Sequence, residues 1–256
     1  MKKYKKNWDS FADYYDWEFD LFCSQQQKDV ELWLDLAQEI GDPILELACG
    51  SGRITIPLAQ AGYRITGLDY SPEMLKMLSN KSAQLKNLTI LNSDMVNFQL
   101  EDRFKFIFIS YSSFQQLLKE KDQIACLKNI HRHLRKDGIL AMDIGRKICE
   151  GEDITQFKHL YTAFYPEDDS TVSMFTSYKT DRKRMIRYWT DKYLKYYKNG
   201  QKETYINQIA LRECDLNYMQ DLFRLTGFKI IEVYGSFRKD PLISESNNAI
   251  YIAKRI

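Results

Sequence analysis

Apolar residues recur along the chain with two different periods, and the change between them divides it. Over residues 8–38 the pattern is helical. Trp8, Phe11, Tyr15, Phe19 and Phe22 fall three and four apart on one apolar stripe. A second helix over about 28–40 carries Val30, Trp33, Leu34, Leu36 and Ala37, and Gly41-Asp42-Pro43 ends it. Short apolar runs then alternate with helical segments. Strands are expected at 44–48, 64–69, 88–92, 104–110 and 139–144, with helices at 52–61, 72–84 and 119–135. Pro72 suits a first helical turn, and Lys136-Asp137-Gly138 should stop the third helix. This order predicts an α/β fold, a mostly parallel sheet covered on both faces.

After Gly151 the period drops to two. From Thr171 to Leu211 the residues alternate, with Met185, Arg187 and Trp189 on one side and Ile186, Tyr188 and Thr190 on the other. Asn199-Gly200 is the dipeptide of a tight hairpin. An antiparallel sheet inserted over 151–212 is therefore expected. Asp215 should cap a helix over 216–226 that Gly227 terminates, and strands follow at 228–234 and 249–253. The expected organisation is N-terminal lid helices over 1–40, an α/β core over 41–150 and 213–256, and the β insert as a substrate wall or subunit interface.

Composition narrows the classes. Lys+Arg 37 against Asp+Glu 35 gives a net charge of +2, which argues against a chain built to hold a nucleic-acid backbone. No apolar run is long enough to span a membrane and no secretion signal is visible. The five cysteines are scattered and make no CxxC pair, as in a reduced, cytoplasmic protein. His131 and His133 are two apart in a helix, so they diverge, are expected at the surface, and suggest no metal site. The 17 Tyr, 14 Phe and 4 Trp are more than a core pattern needs, which favours a cavity or interface walled by rings.

The sharpest stretch is ILELACGSGRITIPLA, Ile44 to Ala59, a strand, a glycine-rich turn and a helix start. A phosphate loop needs a lysine after its last glycine, and Arg53 follows Gly52 instead. A dinucleotide turn wants glycine or alanine where Thr55 stands. The small residues obey E-x-A-x-G-x-G at Glu46, Ala48, Gly50 and Gly52, and they let a ligand approach the backbone closely. An acidic residue, Asp69, ends the next strand, where it can accept hydrogen bonds from ribose hydroxyls.

These positions resemble motif I of the class I S-adenosylmethionine-dependent methyltransferases, with alanine where the family usually has glycine at 48. Asp69 followed by Ser71-Pro72-x-Met74-Leu75 resembles the second motif, Asn92-Ser93-Asp94-Met95 the third, and FKFIFISYSSFQQL the fourth. LRKDGILAMDI resembles the following strand entry, and Tyr15-Asp16 an opening found in many small-molecule members. The resemblance implies a Rossmann-like seven-stranded sheet and S-adenosyl-L-methionine as cofactor. It implies that Tyr15, Glu46, Ala48, Gly50, Gly52, Arg53, Asp69, Tyr70, Met74, Asp94, Met95 and Ser110 bind the cofactor. Tyr15 and Tyr111 are the candidate catalytic residues. Lid helices plus a β insert are similar to the sugar-amine and glycine-type N-methyltransferases.

The expected reaction is methyl transfer to a small molecule, an amine nitrogen being favoured, by a monomer or homodimer without nucleic acid or membrane. Candidate acceptor contacts are Ser112, Gln115, Arg146, Tyr188, Trp189, Tyr205 and Arg238, with Arg212 beside them. Rival readings are a methyltransferase acting on tRNA or protein, for which a basic groove around Lys2–Lys6 and Arg182–Arg187 would speak, a non-catalytic binding protein, and an NAD-dependent oxidoreductase.

Overall fold

The computed structural model describes residues 7–23 and 28–256. Helices α1 (Asn7–Cys23) and α2 (Lys28–Ile40) precede an alternating run. It comprises β1 (Ile44–Leu47), α3 (Thr55–Gln60), β2 (Ile65–Asp69), α4 (Pro72–Lys81), β3 (Leu88–Asn92), β4 (Phe104–Ile109), α5 (Glu120–His133) and β5 (Leu134–Gly145). Four strands follow: β6 (Ile154–Tyr165), β7 (Ser170–Asp181), β8 (Ile186–Tyr196) and β9 (Lys202–Arg212). The chain closes with α6 (Leu216–Leu225), β10 (Phe228–Tyr234) and β11 (Asn248–Arg255).

Seven strands form one sheet in the order β10-β11-β5-β4-β1-β2-β3. Only β11 runs against the rest, pairing antiparallel with both β5 and β10. The alternation within β4 explains the two covered faces. Ile107 and Ile109 point into a core with α5 and α6, while Phe106 and Phe108 point the other way, against α2 and α3. Trp33 of α2 stacks on Phe108 at 4.8 Å between ring centroids. Every residue of β1 is buried, as a strand flanked by β2 and β4 requires. The order reverses between β1 and β4, so a crevice opens beyond their carboxyl ends.

Local signals act as expected. Ser71 caps α4 by accepting from the Met74 amide at 3.2 Å, with Pro72 at the first turn. Asp215 caps α6 by accepting from Tyr218 N at 2.8 Å. Gly200 takes a positive φ of 84° in the β8–β9 hairpin.

Three expectations need correction. Lys136-Asp137-Gly138 does not separate α5 from its strand: β5 begins at Leu134, and residues 135–138 bulge out between the pairs Phe104–Leu134 and Phe106–Ile139. The insert has a strand before Thr171, because β6 is an exposed edge with two register irregularities and shows no clean alternation. His133 is buried rather than superficial; the Leu100 amide donates to its Nε2 at 3.1 Å and its ring packs on Phe98.

Helix α1 also differs from a single-stripe helix. It is wedged between the two sheets and uses two faces. Trp8 and Tyr15 face the crevice, while Tyr14 and Trp17 pack on Tyr165, Tyr193 and Tyr205 of the insert. Phe22, the last residue of the expected stripe, lies outside the described side chains. No helix among the described residues is long and apolar enough to cross a membrane.

Candidate active site

The glycine-rich turn explains its own spacing. Ala48, Gly50 and Gly52 all have positive φ, 58°, 54° and 92°, so the backbone turns left-handed at every second residue. Small residues at i, i+2 and i+4 are what that path tolerates. The three positions then do different work. A Cβ on Gly50 would meet nothing within 4 Å, so its backbone faces open space. A Cβ on Gly52 would lie 2.3 Å from Leu78 Cδ1, so this glycine lets α4 pack against the turn.

Two carboxylates brace the turn. Asp69, at the end of β2, accepts from Gly50 N through Oδ2 and from Ser71 N through Oδ1, both at 2.9 Å. Asp69 also lines the crevice, and a carboxylate with one such bond to each oxygen can accept further hydrogen bonds. Burial pushes the Asp69 carboxyl above its ordinary range, and those backbone amides pull it back. Glu46, inside β1, accepts from the Thr55 hydroxyl through Oε2 and from Ser110 Oγ at 3.1 Å through Oε1. Thr55 therefore has a role of its own: it ties α3 to β1. Burial raises Glu46 to about 7, against the opposing pull of those hydroxyls and of Arg53.

A third carboxylate carried no signal beyond being the one charge in the apolar run ILAMDI. Asp143 of β5 accepts from Tyr111 N at 2.7 Å and Ser112 N at 2.9 Å. Those two residues are consecutive and left-handed, with φ of 56° and 55°. Asp143 thus holds the sharp bend after β4 that brings Tyr111 over the crevice. Burial raises its carboxyl to about 6.

The crevice holds a cavity that opens between α1 and the carboxyl ends of the strands. Among its walls are Tyr15, Glu46, Ala48, Gly50, Arg53, Asp69, Tyr70, Met74, Met95, Ser110 and Tyr111, all singled out from the sequence. Gly52 stands behind the wall. Trp8, Ser113 and Gln116 also line it and were not singled out as site residues. An adjoining chamber shares Trp8, Tyr70, Met95 and Gln116 and adds Asp94, Leu117, Leu118 and Gln208–Ala210 of β9. Trp8 Nε1 donates to Gln116 Oε1 at 3.0 Å where the two meet.

Helix α1 is latched over this space. Ser51 Oγ donates to Asp16, Lys81 pairs with Asp16 at 2.6 Å, and Ser71 Oγ donates to Asp9 at 2.6 Å. Tyr15 is half-buried against Trp8 and Phe11, and desolvation pushes its phenol well above its ordinary pKa. Arg53 is ion-paired to Asp29 at 2.6 Å, and its guanidinium lies 4.7 Å from the Phe19 ring and 5.3 Å from that of Tyr111.

All eight acceptor candidates lie outside both chambers. Gln115 is fully buried, its amide donating to Gly145 O and Arg212 O at 3.0 Å each and accepting from Gly145 N at 2.7 Å. Ser112 Oγ accepts from Gly145 N at 3.1 Å. Arg146 donates to Ile243 O and Ser246 O, so it braces the loop after β10. Tyr205 packs the insert on α1, stacked on Phe11 and Tyr14. Trp189 lies beside Tyr178 and Arg187 on the sheet face opposite Tyr188. Arg238 is exposed on the loop after β10. Tyr188 and Arg212 line an open groove next to the second chamber.

The residues present suit S-adenosylmethionine. Open backbone at Gly50 meets a carboxylate with spare acceptor capacity at Asp69, and apolar Met74 and Met95 stand beside them in one cavity. Residues 44–138 match the family model described as a methyltransferase domain. Together with the fold and the site, this identifies residues 44–138 as a methyltransferase domain of the S-adenosylmethionine-dependent kind.

Particular relatives refine the comparison. The chain is 28% identical over 218 residues to glycine/sarcosine N-methyltransferase of Aphanothece halophytica, covering 83% of this chain and 76% of that protein. It is 26% identical over 253 residues to glycine/sarcosine/dimethylglycine N-methyltransferase of Actinopolyspora halophila, covering 96% of this chain but 41% of that one. Against YqeM of Bacillus subtilis the match is 33% over 113 residues, 44% of this chain and 46% of the relative. The chain thus spans less than half the length of two of these curated relatives. In fold it superposes on an S-adenosylmethionine-dependent methyltransferase from Clostridium acetobutylicum with a TM-score of 0.78 at 15% identity, covering 94% and 97% of the two chains. The sugar N-methyltransferase KedS8 from Streptoalloteichus gives 0.74 at 17%, covering 93% and 92%.

Proposed function

We propose that the protein transfers the methyl group of S-adenosylmethionine to a small-molecule acceptor, an amine nitrogen. The observation that carries this reading is the cavity itself. One side is built from the small-residue turn and Asp69. The other is a wall of rings, Trp8, Tyr15 and Tyr111, which α1 and the bend after β4 supply. A ring-walled cavity under a latched helix suits a compact acceptor. The names of the glycine/sarcosine and sugar N-methyltransferases among the relatives and structural neighbours support the same class.

When bound, S-adenosylmethionine supplies a methyl group already activated by the sulfonium charge. The work left to the chain is alignment and exclusion of water. In this reading Asp69 holds the ribose hydroxyls, while Asp94 and Met95 meet the adenine. Trp8 and Tyr15 close the cavity to solvent. A neutral amine attacks through its own lone pair and needs no base beforehand. The Tyr15 phenol is protonated at neutral pH, as an ordinary tyrosine is, and desolvation raises its pKa further; in this reading it serves as a hydrogen-bond partner that orients the amine.

Calorimetric titration with S-adenosylmethionine, S-adenosylhomocysteine and NAD, followed by labelled methyl transfer to small amines, amino sugars, tRNA and protein, tests the proposal. Binding of the first two ligands and transfer to an amine are expected. Tyr15→Phe should then lower turnover more than cofactor affinity. Transfer to tRNA or protein alone would replace the acceptor class, and cofactor binding without any transfer would favour a binding protein.

A further inference from the structure

Next to the second chamber lies an open groove lined by Lys119, Lys183, Arg184 and Arg212, with Tyr188 and Ile186 on its floor. The same two segments run along both spaces. Leu117 and Leu118 wall the chamber and Lys119 follows in the groove; Gln208–Ala210 wall the chamber and Arg212 follows in the groove. Leu118 belongs to both. A ligand could therefore lie with an apolar or ring-shaped body in the chamber and one end among the cations.

The charge is only partly compensated. Arg212 reaches Glu120 at 3.9 Å and lies over the Tyr218 ring at 4.6 Å, and Arg184 meets Asp181 at 3.7 Å. Among the described residues, no carboxylate lies within ion-pair distance of Lys119 or Lys183. Four cations against two carboxylates leave the groove with as much positive charge as the whole chain's net +2. Arg182, next in sequence, is excluded from this set because its guanidinium is spent on the Cys149 and Gly151 carbonyls.

We propose that this groove binds an anionic group, a phosphate or diphosphate, carried by the methyl acceptor. The proposal rests on the small-molecule reading above and deepens it. A short, bounded groove with a balanced chain around it suits a compact anion better than a nucleic-acid backbone, which needs an extended basic track.

The test uses inorganic pyrophosphate as probe, titrated calorimetrically at low salt into the wild-type protein and Lys119→Ala/Lys183→Ala, each with S-adenosylhomocysteine bound. Both lysines are exposed, so folding should be unaffected, and the cofactor titration in the same samples checks it. Expected is pyrophosphate binding that falls at least tenfold in the double variant, with S-adenosylhomocysteine affinity unchanged. In wild type, pyrophosphate should also protect Lys119 and Lys183 from acetylation, read by mass spectrometry. In methyl-transfer kinetics it should raise the acceptor KM and leave kcat alone. Cofactor binding with no pyrophosphate binding, or with binding equal in both proteins, overturns this proposal and leaves the methyltransferase reading standing. Absence of cofactor binding instead sinks that reading. Inhibition that is not competitive with the acceptor would make the groove a site for free anion. Lysine-dependent binding of tRNA without binding of pyrophosphate would assign it to nucleic acid.

Discussion

The amide of Gly50 donates to Asp69 Oδ2 at 2.9 Å, so the turn after β1 and the end of β2 are one unit. The ligand-facing backbone and the carboxylate proposed for the ribose are thereby set in a fixed relation. Asp69→Ala should weaken S-adenosylmethionine binding by roughly 2–4 kcal/mol, the loss of charge-assisted hydrogen bonds plus a loosened turn. Calorimetry on a variant shown to be folded measures it; unchanged affinity would remove Asp69 from the cofactor site.

Gly50 and Gly52 should separate binding from stability. Gly50→Ala puts a methyl into open space at a left-handed position and should cost roughly 1–2 kcal/mol of stability, while obstructing the cofactor. Gly52→Ala drives a Cβ to 2.3 Å from Leu78 Cδ1 at φ +92°. It should cost about 3 kcal/mol or more. In a chain of this size that is a fall in Tm of about 6–12 °C. Thermal unfolding and cofactor titration of the two variants should therefore rank in opposite orders.

Glu46 makes stability depend on pH. Its carboxyl is raised from 4.5 to about 7 in the folded protein, so the folded state holds the proton more tightly than the unfolded chain. The contribution is complete below about pH 4.5 and is lost as pH rises through about 7, amounting to about 3 kcal/mol. Asp143, raised to about 6, adds a smaller change of the same sign. Glu46→Gln should flatten the decline of stability between pH 5 and 7.5. Denaturant titrations at both pH values measure this, and an unchanged slope would refute it.

Glu18 anchors α1 to the insert. It accepts from Tyr161 at 2.7 Å and from Tyr193 at 3.1 Å. Glu18→Ala leaves two half-buried or buried hydroxyls without this acceptor, at roughly 1–3 kcal/mol. The loss should appear as faster amide exchange across α1, with β1, β4 and β5 still protected. Equal acceleration in those strands would show that α1 and the core open together.

Some of this was legible in the chain because it depends on neighbours in sequence. Small residues at 48, 50 and 52 encode a left-handed path within five residues. Ser71 and Asp215 cap helices that begin one residue later. The near-continuous apolar run of β4 marks a central strand covered on both faces, and Asn199-Gly200 makes its own hairpin. These follow from backbone sterics and local hydrogen bonds, which need no tertiary partner.

Other features were decided only when distant segments met. Glu18 and Tyr193 are 175 positions apart, and nothing near either names the other. Gln115 reads as a polar residue beyond a strand, yet it lies between the ends of β5 and β9, and Gly145 and Arg212 take up its whole amide. Asp143 reads as one charge in a buried strand, and only the register of β4 beside β5 delivers it two left-handed amides. The aromatic stripe of α1 became two faces because a second sheet stood opposite the first. Periodicity records that a residue is apolar or polar; burial, register and the arrival of a distant partner determine what that residue does.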